Sequence, residues 1–169
     1  MACHDSGHCR SFRALEKELA KRVPVGHIPG GSTPVTMLQV KDTLRATVHL
    51  TFDGRVVKVY HGPNAAERFA NEVKVLRHLE ERGCPFVPRL LEADPERRRI
   101  VTTNCGGRVQ HLDAQRTAEI FAELERFGVR HDDPDIRNVT YRQQDGRFCV
   151  IDFEFATILP GAHDASTTR

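Results

Sequence analysis

Lys58 stands inside the otherwise apolar run Arg55-Val-Val-Lys-Val-Tyr60. On an extended strand it shares a face with Val56 and Tyr60, so it points either into a cleft or to solvent. Read alone, it is an exposed lysine on an edge strand. Glu72 follows Phe69 by three positions and precedes Leu76 by four, which puts it on the apolar face of a helix. A carboxylate there needs a cationic partner, and Lys58 on the preceding strand is the one at hand. Read alone, Glu72 fits equally well as a boundary glutamate with a surface partner. Two further stretches carry acids, His131-Asp-Asp-Pro-Asp-Ile-Arg-Asn138 and Val150-Ile-Asp-Phe-Glu-Phe155. Asp152 ends a strand between apolar neighbours, where an acid is expensive unless it holds a metal or a hydrogen-bond network. Magnesium takes oxygen ligands, one or two from protein and the rest from phosphates and water. Asn138 and Asp152, joined by the hairpin between their segments, would supply them, and Asp133 would accept a proton from an attacking hydroxyl.

The elements that must position these groups are legible from periodicity and turn signals. A helix is expected from Ser11 to about Val23, followed by a Pro/Gly-rich linker to Pro34. Strands follow at Val35–Val40, Arg45–Phe52 and Arg55–Tyr60, the last two joined by the hairpin signal Asp53-Gly54. Asn64 with Glu67 has capping-box spacing for a helix carrying Phe69, Val73, Leu76 and Leu79, and Gly83 closes it. Short strands fit Arg89–Glu92 and Arg99–Thr103, with a turn or hinge at Asn104-Cys-Gly-Gly107. A helix from about Asp113 to Phe127 stops at Gly128. A polar loop, His131–Asn138, and two strands at Val139–Arg142 and Phe148–Phe153 complete the pattern. The order predicts an α+β fold with a mostly antiparallel sheet.

Composition narrows the setting. The chain has 169 residues and a net charge of +2, too small to argue for nucleic acid, so no nucleic-acid partner is expected. The arginines at 97–99 read as a solvated turn. No apolar run reaches the ~20 residues of a membrane helix, and the first residues lack the pattern of a secretion signal. Five cysteines, an odd count, read as reduced thiols in a cytoplasmic protein, with Cys84, Cys105 and Cys149 as packing residues. Cys3, His4, His8 and Cys9 lie close enough to hold a metal, but their spacing is unlike a zinc finger and a frayed terminus is the plainer reading.

Taken in order, Lys58, Glu72, His131-x-Asp133-x4-Asn138 and Asp152-Phe153 resemble the protein-kinase-like superfamily over about residues 35–159. The resemblance implies a minimal kinase-like domain at 35–160, between an N-terminal helix and linker at 1–34 and a disordered tail at 161–169. It implies that Lys58 holds the α- and β-phosphates of ATP and Glu72 orients Lys58. Asp133 would be the catalytic base, Asn138 and Asp152 would bind magnesium, and His131 would brace the loop. The adenine hinge would fall near Thr103, Asn104, Cys105 and Gly106. The activity implied is ATP-dependent transfer to a hydroxyl, foremost by a compact serine/threonine kinase with a protein substrate or partner. Ser32, Thr33, Ser166, Thr167 and Thr168 are candidate sites for self-phosphorylation.

The pattern also departs from that family. Val40-Lys-Asp-Thr-Leu-Arg45 carries no glycine where a phosphate loop is expected, so Lys41, Thr43 or Arg45 would have to compensate. Asp132 replaces the arginine of the catalytic loop, and Asp135 stands where a lysine is expected, leaving Arg137 to serve the γ-phosphate. The metal motif reads Asp-Phe-Glu instead of Asp-Phe-Gly, as in choline and aminoglycoside kinases and in Rio-type and lipopolysaccharide-type kinases. The short stretch after Asp152 leaves no expected activation segment or substrate-platform helices, which favours a macromolecular acceptor. Two alternatives remain, a small-molecule kinase of the choline or aminoglycoside kind and a nucleotide-binding scaffold without catalysis.

Overall fold

The computed structural model describes residues 37–161, with side chains from residue 41 onward. The expected helix at 11–23, the linker, the Cys3/His4/His8/Cys9 cluster and the five hydroxyls named for self-phosphorylation lie outside the described residues. Within them the fold is α+β, with antiparallel sheets and two helices. The elements run β1 (Met37–Asp42), β2 (Ala46–Thr51), β3 (Arg55–Tyr60), α1 (Ala65–Glu81), β4 (Leu90–Asp94) and β5 (Arg99–Thr103). They continue with β6 (Gly107–Arg108), α2 (Ala114–Glu125), β7 (Val129–Arg130), a single 3-10 turn (Ile136–Asn138), β8 (Val139–Arg142), β9 (Arg147–Val150) and β10 (Thr157–Ile158). No helix among the described residues is long and apolar enough to cross a membrane.

The main sheet has five strands in the order β1-β2-β3-β5-β4, so β3, which carries Lys58, is its centre. Lys58 pairs with Val48 on one side and Ile100 on the other. The edge-strand reading of Lys58 is thereby excluded. Helix α1 covers the face that Lys58 and Tyr60 share, through Phe69, Val73, Leu76 and Leu79, and Tyr60 meets Phe69 edge-on at 5.9 Å between centroids. These side chains join Ile100, Leu124 of α2 and the β8–β9 residues Val139, Cys149 and Val150 in one continuous apolar core.

Both helix stops follow the expected glycines. Gly83 takes φ +67, its N–H donates to the Glu80 carbonyl at 3.0 Å, and Cys84 N–H reaches Leu79 at 2.9 Å, a Schellman closure. Asp113 accepts from Arg116 N–H at 2.7 Å and caps α2 as its type predicts. Asn64 departs from expectation. It sits at φ 55 and its side chain makes no capping bond. The Gly62-Pro63 turn before it is held by Arg68 of the same helix, which takes both the His61 and Pro63 carbonyls. Asn tolerates the left-handed conformation this entry demands. The strands β6, β7 and β10, of two residues each, carry no periodicity and escape sequence reading.

The stretch expected to act as a hinge connects two sheets. It leaves β5 at Thr103 and enters β6, which pairs with β8 in the three-stranded sheet β6-β8-β9. Gly106 has φ +91, and a Cβ there would stand 2.0 Å from the Tyr141 carbonyl oxygen, so only glycine fits. Gly106→Ala is expected to lower unfolding stability by at least about 2 kcal/mol, because a rigid backbone atom must move and φ is strained. An unchanged urea midpoint would show that this passage is loosely held.

Candidate functional site

Lys58 is 8% exposed, and its ammonium is enclosed by acids from two other elements. Its Nζ lies 2.7 Å from Glu72 Oε2 on α1, 2.6 Å from Asp152 Oδ1 and 3.5 Å from Glu154 Oε2. The phenol of Tyr60 donates to the same Glu72 oxygen. Burial alone would lower the Lys58 pKa, but the charges of Glu72, Asp152 and Glu154 outweigh it and hold the ammonium above the ordinary lysine range. Burial likewise raises the Asp152 carboxyl, and the charge and hydrogen bond of Lys58, aided by Lys41 at 3.9 Å, overcome this and hold it below the usual carboxylate range. Strand β9 ends at Val150, two residues before Asp152, so Asp152 does not end a strand as expected; it lies in the segment beyond, with φ 69, a left-handed backbone that is costly for most side chains.

The loop carrying Asp133 is built around His131, 4% exposed between the rings of Phe121 and Phe153. Its Nδ1 accepts the Asp133 N–H at 3.2 Å, so its Nε2 carries the proton and donates to the Ile151 carbonyl at 3.1 Å. One buried imidazole therefore links the loop to the residue before Asp152. Asn138, 4% exposed, adds a second link: its carbonyl accepts the Ile151 N–H at 2.9 Å, while Nδ2 donates to the Asp133 carbonyl at 2.9 Å and to Asp133 Oδ2 at 3.2 Å. Arg137 Nη2 reaches both Asp133 oxygens at 2.7 Å. That hydrogen bond, opposed by burial and reinforced by Asn138, holds the Asp133 carboxyl below its ordinary range.

Lys58, Glu72 and Asp152 thus meet around one ammonium, while Asp133 and Asn138 form an adjacent group joined to it through Ile151. Thr103, Asn104 and Cys105 stand apart from both groups. Thr103 Oγ1 accepts the Arg89 N–H at 2.9 Å, Asn104 Oδ1 accepts the Gly106 N–H at 2.9 Å, and the buried Cys105 gives its carbonyl to the Thr140 hydroxyl at 2.8 Å. Cys84, Cys105 and Cys149 are buried and free of disulfides, in keeping with packing roles. Of the groups named to replace the phosphate loop, Lys41 turns to Asp152, whereas Thr43 closes its own turn and Arg45 lies over the Phe155 ring at 5.4 Å.

Three side chains around the site escaped sequence reading. Glu154 is half-buried beside Lys58 and paired with Arg68 at 3.1 Å. Arg68 precedes Glu72 by four positions, the next place along the same helical face, and that spacing was the available signal. Asn71 also went unread; its Nδ2 donates to the carbonyls of Glu154 at 3.2 Å and Ala156 at 2.9 Å, tying α1 to the segment after Asp152. The oxygens of Glu72, Asp152 and Glu154 lie within 4.8 Å of one another, but the Lys58 ammonium occupies their middle. The donors that suit a hard cation are Asp152, whose side chain is 26% exposed, and Oδ1 of Asn138, whose amide nitrogen is engaged with Asp133. Both are oxygen donors, the kind a hard cation takes. Neither a protein-family model nor a curated protein matches this chain.

Lys58→Met is expected to lower stability by about 3–5 kcal/mol at pH 7, since it leaves buried carboxylates without their cation. The stability that Asp152 gains from Lys58 is present above the ordinary carboxylate pKa of about 4 and is lost as pH falls through its lower folded value. The gap between wild type and Lys58→Met should therefore narrow as unfolding is measured from pH 7 toward pH 2. A gap independent of pH would contradict the pairing.

Proposed function

We propose that this chain is an ATP- and magnesium-dependent phosphotransferase with a protein-kinase-like domain, moving the γ-phosphate of ATP to a hydroxyl. The observation that carries the reading is the buried ammonium of Lys58, held at 2.7 Å by Glu72 and 2.6 Å by Asp152, from positions far apart in the chain. A buried lysine fixed by a helix glutamate is a point charge ready for phosphate oxygens. Asp152 is partly exposed, so a bound nucleotide can approach the lysine from that side. Thr103, Asn104 and Cys105 would border the base, through backbone groups.

In the reaction, the acceptor hydroxyl oxygen forms a bond to the γ-phosphorus while the bond from that phosphorus to the bridging oxygen breaks, and ADP leaves. The hydroxyl proton passes to Asp133, whose carboxylate is ionised at neutral pH and aimed by Arg137 and Asn138. Lys58 holds the phosphates in line, and Glu72 with Tyr60 keeps its ammonium from drifting. Asn138 and Asp152 would hold magnesium, which when bound neutralises charge on the phosphates. The acceptor assigned is a serine or threonine hydroxyl, on the resemblance of the motifs.

Asp133→Ala should reduce transfer at least about 100-fold while leaving Mg-ATP binding within about threefold, as loss of a base requires. The assay is ADP release with protein acceptors in one arm and amino alcohols or aminoglycosides in the other. Turnover confined to the second arm would replace the protein acceptor with a small molecule. Nucleotide binding with no turnover in either arm would leave a binding module in place of an enzyme.

A further inference from the structure

Arg68 is 5% exposed and bonds to separate stretches of backbone that meet beside the site. Its Nη1 and Nη2 donate to the Arg45 carbonyl at 3.2 and 3.3 Å, and Nη2 also donates to the carbonyls of His61 at 2.8 Å and Pro63 at 3.0 Å. Its charge is met by Glu154 at 3.1 Å. Arg45 ends the turn between β1 and β2, the stretch that lacks glycine. The same Arg45 carbonyl accepts the His61 N–H at 2.9 Å, and a Cβ on Gly62 would come within 2.5 Å of the Leu44 carbonyl oxygen. The turn is therefore seated on the loop between β3 and α1.

What seats it is polar. Leu44 at its tip is 90% exposed and adds no packing, and Thr43 closes the turn locally, accepting the Ala46 N–H at 3.1 Å and donating to the Ala46 carbonyl at 3.0 Å. The strand leading into the turn carries Lys41, which stands 3.9 Å from Asp152. A turn without glycine is poorly suited to folding bare amides around an anion, and the cation this one offers comes from a side chain whose place depends on the turn. Two departures from the kinase pattern, the missing glycines and the glutamate at 154, converge on this one guanidinium.

We propose that Arg68 is a positioning residue: anchored by Glu154, it clamps the β1–β2 turn against the β3–α1 loop, so that Lys41 stands as a fixed second cation for the nucleotide phosphates. The clamp is a property of the fold, while its ligand rests on the phosphotransferase reading. An arginine suits this place because its planar fork serves several carbonyls and a carboxylate at once, which an ammonium cannot.

The test compares wild type, Arg68→Met and the double variant Arg68→Met/Glu154→Gln, with Arg68→Lys as the reserve. Arg68→Met leaves the Glu154 carboxylate with only the more distant Lys58 ammonium at 3.5 Å and should lose stability, whereas the double variant removes both charges and should recover most of it. Arg68→Lys keeps the charge without the fork and serves if the others fail to fold. In the folded variants, amide exchange at Thr43 and His61 should rise at least about tenfold, with α2 amides unchanged, as expected for local opening. The dissociation constant for Mg-ATP should rise at least about tenfold in the same variants, the scale of loss that misplacement produces. Lys41→Met alone should weaken Mg-ATP comparably without raising exchange at the turn. Unchanged exchange at Thr43 and His61 would overturn the clamp. Opening of the turn with unchanged Mg-ATP affinity would overturn the role given to Lys41. If wild type binds no Mg-ATP, the phosphotransferase reading and the role of Lys41 fall together, while the exchange data still decide the clamp.

Discussion

A buried ammonium must be paired, and most of this fold is arranged to pair the one on Lys58. The residue sits on the central strand of the main sheet, beneath a helix and beside a segment more than ninety positions away in sequence. Taking such a charge out of water is costly, and only close, hydrogen-bonded partners offset that cost. Glu72 is one partner, which requires α1 to cross this strand at a fixed rotation. Asp152 is the other, which requires the β8–β9 hairpin to deliver the segment that follows it to the same point. An error of one residue in either register would turn a carboxylate away from the ammonium.

The remaining polar links hold these two deliveries in register. Asn71 joins α1 to the carbonyls after Asp152, and Arg68 joins α1 to Glu154. His131 and Asn138 hold the loop of Asp133 to Ile151, immediately before Asp152. Movement of helix α1, the loop or the hairpin is therefore felt at Lys58. Such a network of buried, mutually satisfied polar groups confers a single geometry more than it confers net stability. The phosphate transfer proposed for this site would depend on geometry above all.

Much of the positioning was legible in the sequence because it follows short-range rules. Helical spacing is enough to put Glu72 on the buried face of α1, and alternation is enough to make Lys58 share a face with Tyr60. Asp53-Gly54, Gly83, Asp113 and Gly128 act at the turns and helix ends their types predict. What stayed hidden depends on partners distant in the chain. Alternation leaves Lys58 open to either cleft or solvent, and only the helix and the Asp152 segment packed over that face decide it. Glu154 reads as a deviation from a metal motif until Arg68 is seen beside it. Asn64 is the local exception: it has the composition of a cap, yet its backbone is left-handed and its side chain caps nothing, beside a Pro63 carbonyl taken by Arg68. The two-residue strands are too short to leave a period in the sequence at all.

Direct binding of nucleotide tests the central claim most sharply. Calorimetric titration of the full chain with ATP, with and without magnesium, should give one site per chain that tightens when magnesium is present. Asp152→Asn should remove the magnesium dependence, since the carboxylate that would hold the ion is gone while the fold keeps Lys58 paired to Glu72. No heat of binding from the wild-type chain at millimolar ATP, or binding indifferent to both magnesium and Asp152→Asn, would contradict the assignment of this site to a nucleotide.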